Sequence, residues 1–142
     1  MPAINIKAVA IGALVDIGGS FLVGAVYTIG YVAFLTAEGV APEDMEARTL
    51  SDPAYLVVTI VIGLALMLVA GYVAGRVART RAIEHGGVVG VVSVAVGFLF
   101  LFSDTGTYPG WYFPVSFGLT IPAGLLGGYI ARRREAGREP SR

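Results

Sequence analysis

One apolar stretch constrains the fold of this chain more than any other feature of its sequence. The residues from Ala54 to Gly75 include no charged side chain, and the segment that follows them reads RVARTR. A helix of these residues, rising about 1.5 Å per residue, covers the roughly 30 Å hydrocarbon core of a bilayer. Helices in soluble cores are rarely apolar on every side over such a length. The stretch therefore predicts a transmembrane helix.

The composition extends this prediction to the whole chain. Its 142 residues are 56 % hydrophobic and 14 % charged, with a mean hydropathy of +0.76. Such a chain is too apolar for a soluble domain and has room for little besides its spans. We therefore predict an all-α fold, a single transmembrane domain over 1–135 that forms a four-transmembrane-helix bundle. The spans are expected at about 8–35, 54–75, 85–102 and 113–131, with an outer loop at 36–53 and a basic cytoplasmic tail at 136–142.

The charges are sorted by side, although they sum to zero. If both termini are cytoplasmic, the inside carries nine basic and three acidic residues, and the outside carries one basic and six acidic residues. An excess of Lys and Arg beside the spans marks the cytoplasmic side. We therefore expect a multi-pass protein of the cell membrane with both termini in the cytoplasm and with anionic lipids as partners of its basic inner face. The acidity of loop 36–53 is explained as a solvated face, with binding of a cation or a partner as the alternative.

Each predicted span carries a row of small or polar residues spaced three or four apart. Small residues let transmembrane helices approach closely, so these rows predict a tightly packed bundle without a water-filled pore through one copy. The glycines expected to pack are Gly12, Gly24, Gly63, Gly71, Gly75, Gly86, Gly90, Gly97, Gly124 and Gly128. The same rows contain Thr59, Ser93, Ser116 and Thr120.

A short internal repeat accompanies these rows. The segments GYVAGR at 71–76 and GYIARR at 128–133 match at four of six positions, and each closes a predicted span that runs towards the cytoplasm. The match suggests two helical hairpins in parallel topology, related by internal duplication.

Asp16 is the acidic residue that lies within an apolar span. Ionisable groups inside a membrane are costly and usually face the protein interior, so Asp16 is the default candidate for function, with Ser20 one turn further along the same face. It could couple to a proton, coordinate a cation or contact another subunit. The alternative is a charge pair with Lys7, Arg76 or His85 that locks one hairpin to the other. Its depth is open, because residues 17–35 alone could cross the membrane and leave Asp16 at the cytoplasmic interface.

No other residues form a recognisable chemical site. His85 is the only histidine and adjoins Glu84, but neighbouring side chains on a helix point in different directions and make a poor metal site. The absence of cysteine excludes disulfides and thiolate chemistry. We therefore expect no enzymatic activity, no cofactor, no metal and no nucleic-acid partner.

The rows of small residues and the scarcity of chemistry together favour a non-enzymatic integral membrane protein. We expect a structural or accessory component that packs against itself, as a homo-oligomer, or against a larger membrane complex. The alternative is an oligomeric small-solute or ion transporter or channel that uses Asp16.

Two segments carry a resemblance to a protein family. IGALVDIGGSFLVG at 11–24 and GYVAGRVARTRAIEHGGVVGVV at 71–92 resemble small uncharacterised prokaryotic four-span membrane proteins, in which a Gly-Tyr-x-Ala-Gly-Arg helix end precedes a His-Gly-x-x-x-Gly helix start. The matching residues are Gly71, Tyr72, Ala74, Gly75, Arg76, His85, Gly86 and Gly90. The resemblance implies a four-helix fold and no particular activity. In size, span count and a first-span carboxylate the chain is also similar to small multidrug transporters, with Asp16 where they carry glutamate, and in span count it is similar to fluoride channels.

Overall fold

The computed structural model describes residues 3–102 and 107–137, and the regular structure within these ranges is entirely helical. Four of the helices are long and apolar enough to cross a membrane. The predicted all-α, four-helix transmembrane bundle is therefore confirmed. The helices are α1 (Ile6–Ala37), α2 (Met45–Ser51), α3 (Pro53–Ala78), α4 (Ala82–Leu101) and α5 (Tyr112–Ala136), with a 3₁₀ turn at Pro42–Asp44 before α2.

Local sequence signals set the beginning and the end of these helices. The Asn5 side chain accepts a hydrogen bond from the Ala8 N–H and caps α1, and the Asp52 side chain accepts one from the Ala54 N–H and caps α3. Beyond α1 the chain turns at Gly39, whose φ of 81° suits a residue without a side chain. With 32 residues, α1 is about 48 Å long and extends beyond the hydrocarbon core.

The helices begin and end at different residues from those predicted. The last one continues to Ala136 instead of residue 131, and the third spanning helix begins at Ala82 instead of His85. Each span was predicted to end where the charged residues that flank the apolar segment begin. Arginine and glutamate are good helix formers, however, so a helix continues past the edge of the apolar segment. Residues 138–142 of the predicted tail lie outside the described ranges.

The four spanning helices are unequally packed. The helices α3, α4 and α5 pack against one another, whereas α1 lies on α3 and α4 and hardly touches α5. Successive spanning helices run antiparallel, so the described ends of the chain, near Asn5 and Gly137, lie at the same end of the bundle. We call this the arginine end, because Arg76, Arg79, Arg81 and Arg132 lie there; the opposite end, with residues 42–52, is the acidic end.

Glycine contacts hold the helices together in the half of the bundle nearest the arginine end. A Cβ atom at Gly71 or Gly86 would overlap the carbonyl oxygen of Gly124, and one at Gly128 would overlap that of Ala82. A Cβ at Gly12 would lie 2.9 Å from the Ala74 Cβ. Similar close approaches occur at Gly75 and Gly90, whereas Gly97, nearer the acidic end, lies against the Phe117 ring. At Gly71, Gly86, Gly90 and Gly128 the backbones therefore meet without side chains between them, as expected of small residues in membrane helices.

Gly24 and Gly63 depart from the packing role expected of them. Nothing lies within 4 Å of a Cβ placed at either position, since both line a cavity between the helices. On the arginine side of this cavity the interior is closed by Met67, Ala70, Ala74 and Val89, which are at most 1 % exposed.

The two repeated segments lie side by side at the arginine end. The Arg134 guanidinium lies 5.7 Å from the centre of the Tyr72 ring, and that of Arg133 lies 5.2 Å from the Tyr129 ring. Each repeat tyrosine thus contacts an arginine of the last helix. The internal duplication itself stays a prediction.

Candidate functional site

A polar cavity lies among all four spanning helices, next to Asp16. Its volume is about 250 Å³. It extends from Asp16 towards the acidic end as far as Gly24, Thr59 and Tyr112. The polar side chains that line it are Asp16, Ser20, Thr59, Ser93, Tyr112, Ser116 and Thr120. The serines and threonines belong to the rows that the sequence analysis assigned to helix packing.

The register of the helices places Asp16 near the middle of the bundle. Gly12 on α1 contacts Val89 on α4, and one turn further along both helices Asp16 lies beside Ser93. Ser93 is close to the centre of α4, which at 20 residues is about 30 Å long and matches the hydrocarbon core. Asp16 therefore lies level with the middle of α4, and its depth in the membrane stays a prediction.

Asp16 is buried without a charge partner among the described residues. Its side chain is 7 % exposed and takes part in neither of the ion pairs found there. Lys7 lies nine residues earlier on the same helix, about 13 Å away along the axis, and its side chain is exposed. Arg76 instead pairs with Glu135, with 3.7 Å between Nη1 and Oε1. Two of the three expected partners thus lie elsewhere.

His85, the third expected partner, binds the backbone. It is fully buried, its Nε2 accepts a hydrogen bond of 2.8 Å from the Asn5 N–H, and its Nδ1 lies 2.9 Å from the Arg81 carbonyl oxygen. An acceptor at Nε2 and a donor at Nδ1 define one tautomer of the neutral ring. His85 therefore fastens the beginning of α1 to α4, a role that its position in the sequence did not indicate.

The two serines near Asp16 differ in their surroundings. Ser20 lies one turn along α1 and is half-buried. Ser93 lies next to the Asp16 carboxyl, yet its buried Oγ has no hydrogen-bond partner of standard geometry. The carboxyl of Asp16 and the hydroxyl of Ser93 together mark the deep end of the cavity.

A tyrosine cluster joins α1 to α3 at the acidic end. The rings of Tyr27 and Tyr55 are stacked with centroids 5.2 Å apart, and the Thr28 and Tyr55 hydroxyl oxygens are 2.8 Å apart. The Tyr31 hydroxyl donates a hydrogen bond to Asp52. This bond, and after it the one from the Ala54 N–H, lowers the pKa of the Asp52 carboxyl below its ordinary value. The cluster lies closer to the acidic end than the cavity does, and it holds the acidic end of α1 in place.

The chemistry of the site is limited to one carboxyl and several hydroxyls. Among residues 3–102 and 107–137, no group of three or more His, Cys, Asp or Glu side chains could hold a metal ion. A scan of family models, a search of curated proteins and a search of solved structures each found no match. The four apolar helices make the chain a multi-pass integral membrane protein.

Proposed function

We propose that this protein is a small ion transporter in which Asp16 takes up a proton or a small cation from the polar cavity. The observation that carries the proposal is the Asp16 carboxyl, which is buried near the middle of the bundle, has no charge partner among the described residues and faces a cavity. A charged side chain at the centre of a transmembrane helix costs about 2.5–3.5 kcal/mol on insertion scales. A proton or a bound cation removes most of that cost, so Asp16 is suited to bind one of them.

The packing around Asp16 favours access from one end of the bundle at a time. The cavity reaches from Asp16 towards the acidic end, while Met67, Ala70, Ala74 and Val89 close the path to the arginine end. Passage across the membrane then requires a second arrangement in which this closed half opens. We propose that α1 moves against the other three helices, because it hardly touches α5.

Flux through reconstituted liposomes tests the proposal. A pH-sensitive dye inside the vesicles reports proton movement under an imposed pH gradient, for wild type, Asp16→Asn and the control Asp44→Asn. Asp44 is an exposed carboxylate in the turn before α2, outside the spans. We expect Asp16→Asn to lower the flux at least tenfold and the control to leave it unchanged. Equal flux for wild type and Asp16→Asn would remove Asp16 from the mechanism.

A second candidate function is the structural or accessory role, and the exposed face of α1 favours it. Nothing lies within 4 Å of a Cβ placed at Gly18 or Gly30, and Phe21, Leu22 and Ile29 are about 70 % exposed. Small residues on an uncovered transmembrane helix suit close contact with a second copy or with a larger membrane complex. Mass measurement in lipid nanodiscs, together with extraction under mild conditions, tests this role. A monomer without any co-purified partner would argue against it.

The orientation of the protein follows from its charges. We propose that the arginine end and both termini face the cytoplasm, where Arg79 and Arg132 meet anionic lipids. Protease accessibility of tags at the two termini in sealed vesicles tests this topology. We assign the protein no enzymatic activity and no nucleic-acid partner.

A further inference from the structure

The hydroxyl groups of the cavity carry an inference about what Asp16 binds. Five serine and threonine hydroxyls and one tyrosine line the cavity, and no basic or amide side chain does so among the described residues. Resting on the ion-transport function proposed above, we infer that the cavity is a binding site for a partly dehydrated alkali-metal cation, with Asp16, Ser20 and Ser93 as its ligands. A site for protons alone would need only the carboxyl.

The hydrogen bonds of the two threonines indicate which sign of charge the cavity favours. The Thr59 hydroxyl donates to the Tyr55 carbonyl oxygen at 2.6 Å, and the Thr120 hydroxyl donates to the Ser116 carbonyl oxygen at 2.8 Å. Each hydroxyl has one hydrogen, which these bonds use, so each oxygen keeps only lone pairs for the cavity. These two acceptors add to the preference of the Asp16 carboxylate for a cation over an anion. The lining therefore favours a positively charged occupant.

The deep end of the cavity supplies the ligands. Asp16 is 7 % exposed, Ser93 Oγ lies beside its carboxyl and has no other hydrogen-bond partner among the described residues, and Ser20 follows one turn later on the same face of α1. Carboxylate and hydroxyl oxygens are the donors that hard cations prefer. A cation held by Asp16 would also bind the Ser93 oxygen, because the Ser93 hydroxyl lies beside the Asp16 carboxyl.

Charge and volume define the class of cation. One carboxylate neutralises one positive charge, whereas a divalent ion would leave an uncompensated charge in the low-dielectric membrane interior. The cavity volume of about 250 Å³ corresponds to several water molecules, at roughly 30 Å³ each. A monovalent ion can therefore keep part of its hydration shell on the open side while protein oxygens replace the rest. Sodium is the probe that matches these requirements.

Sodium binding to purified protein in nanodiscs at about pH 8 tests the inference. Radioactive Na⁺ binding and the midpoint of thermal unfolding are measured in NaCl and in choline chloride of equal ionic strength. We compare wild type, Asp16→Asn, Ser93→Ala and the control Thr36→Ala. Thr36 donates the same kind of hydrogen bond, to the Val32 carbonyl oxygen at 2.8 Å, but lies exposed near the end of α1.

We expect saturable Na⁺ binding and a higher unfolding midpoint in NaCl for wild type and for the control. Asp16→Asn should lose both, and Ser93→Ala should bind Na⁺ at least tenfold more weakly while unfolding at the same midpoint in choline chloride. If Ser93→Ala does not fold, Ser20→Ala replaces it, and the same tenfold weakening is expected because Ser20 is the other proposed hydroxyl ligand.

Two results would overturn the inference. If Ser93→Ala folds and binds Na⁺ as tightly as wild type, the proposed ligand set is excluded. Absence of Na⁺ binding by wild type would exclude the cation, and if proton flux still depended on Asp16, the ion-transport function would stand with a proton as its substrate. Sodium binding by wild type without any flux dependent on Asp16 would support the cation site and remove the transport function.

Discussion

Gly71 gives the sharpest test of how the bundle is held together. A Cβ atom at this position would overlap the Gly124 carbonyl oxygen and lie 3.0 Å from the Gly124 carbonyl carbon and Cα. These are backbone atoms of α5, so no side chain can rotate away and the two helices must separate. Gly63 on the same helix is a matched control, because nothing lies within 4 Å of a Cβ placed there.

The magnitude follows from two opposing effects of the added methyl group. Replacing glycine by alanine within a helix gains about 1 kcal/mol of helix propensity, and this gain is common to both positions. Overpacking costs about 1–3 kcal/mol, and the rigid backbone contact places Gly71→Ala near the upper end. The propensity gain cancels in the comparison. Gly71→Ala should therefore be less stable than Gly63→Ala by about 3 kcal/mol, more than a hundredfold in the unfolding equilibrium.

Unfolding in mixed micelles of mild detergent and sodium dodecyl sulfate, followed by circular dichroism, measures this difference. Gly86→Ala should behave like Gly71→Ala, since its Cβ would meet the same Gly124 carbonyl oxygen from α4. If Gly71→Ala and Gly63→Ala unfold at the same detergent ratio, the close contact between α3 and α5 does not hold the bundle together and the reasoning fails.

Two further predictions concern the ends of α1. His85→Ala removes the acceptor of the Asn5 N–H, so we expect a loss of about 0.5–1.5 kcal/mol of stability and faster amide hydrogen exchange in the first turn of α1; unchanged exchange there would contradict the role of His85 as a fastener. The Tyr31 hydrogen bond lowers the pKa of Asp52, so the stability that this bond gives is complete above the ordinary pKa of 3.8 and disappears as the pH falls through the lower folded value. Tyr31→Phe should therefore unfold at a lower temperature than wild type near pH 6, the difference should shrink as the pH falls below about 4, and the control Tyr27→Phe should show no such pH dependence.

The spans could be predicted from the sequence because the hydropathy of a segment depends only on the residues within it. An uncharged segment as long as Ala54 to Gly75 has no stable alternative to a helix across the membrane, since every backbone polar group must be paired within it. The rows of small residues likewise identified the faces that meet at Gly71, Gly86, Gly124 and Gly128. The positions of the helix ends were predicted less accurately, because a charged residue ends an apolar segment but does not end a helix.

The candidate site could be predicted only in part. Asp16 was identified because an ionisable carboxyl group inside a membrane costs free energy, and Ser20 was identified by its spacing along the same helix. The sequence could not show that Gly24 and Gly63 border a cavity, because spacing gives the face of a helix and not the distance to its neighbour. It also could not show that Ser93 lies beside Asp16, since that depends on how α4 is displaced along α1.

The sequence by itself determined that the chain enters the membrane as four apolar helices with their charges gathered at the ends, because the hydrocarbon core excludes charge and unpaired backbone groups. The tertiary structure alone decided what surrounds Asp16. It joined His85 to Asn5 and Arg76 to Glu135, so the carboxyl near the middle of the bundle has no charge partner within residues 3–102 and 107–137 and faces a cavity with several hydroxyls in its lining. Contacts of this kind depend on how helices far apart in sequence pack together, and hydropathy and spacing along one helix do not fix that packing.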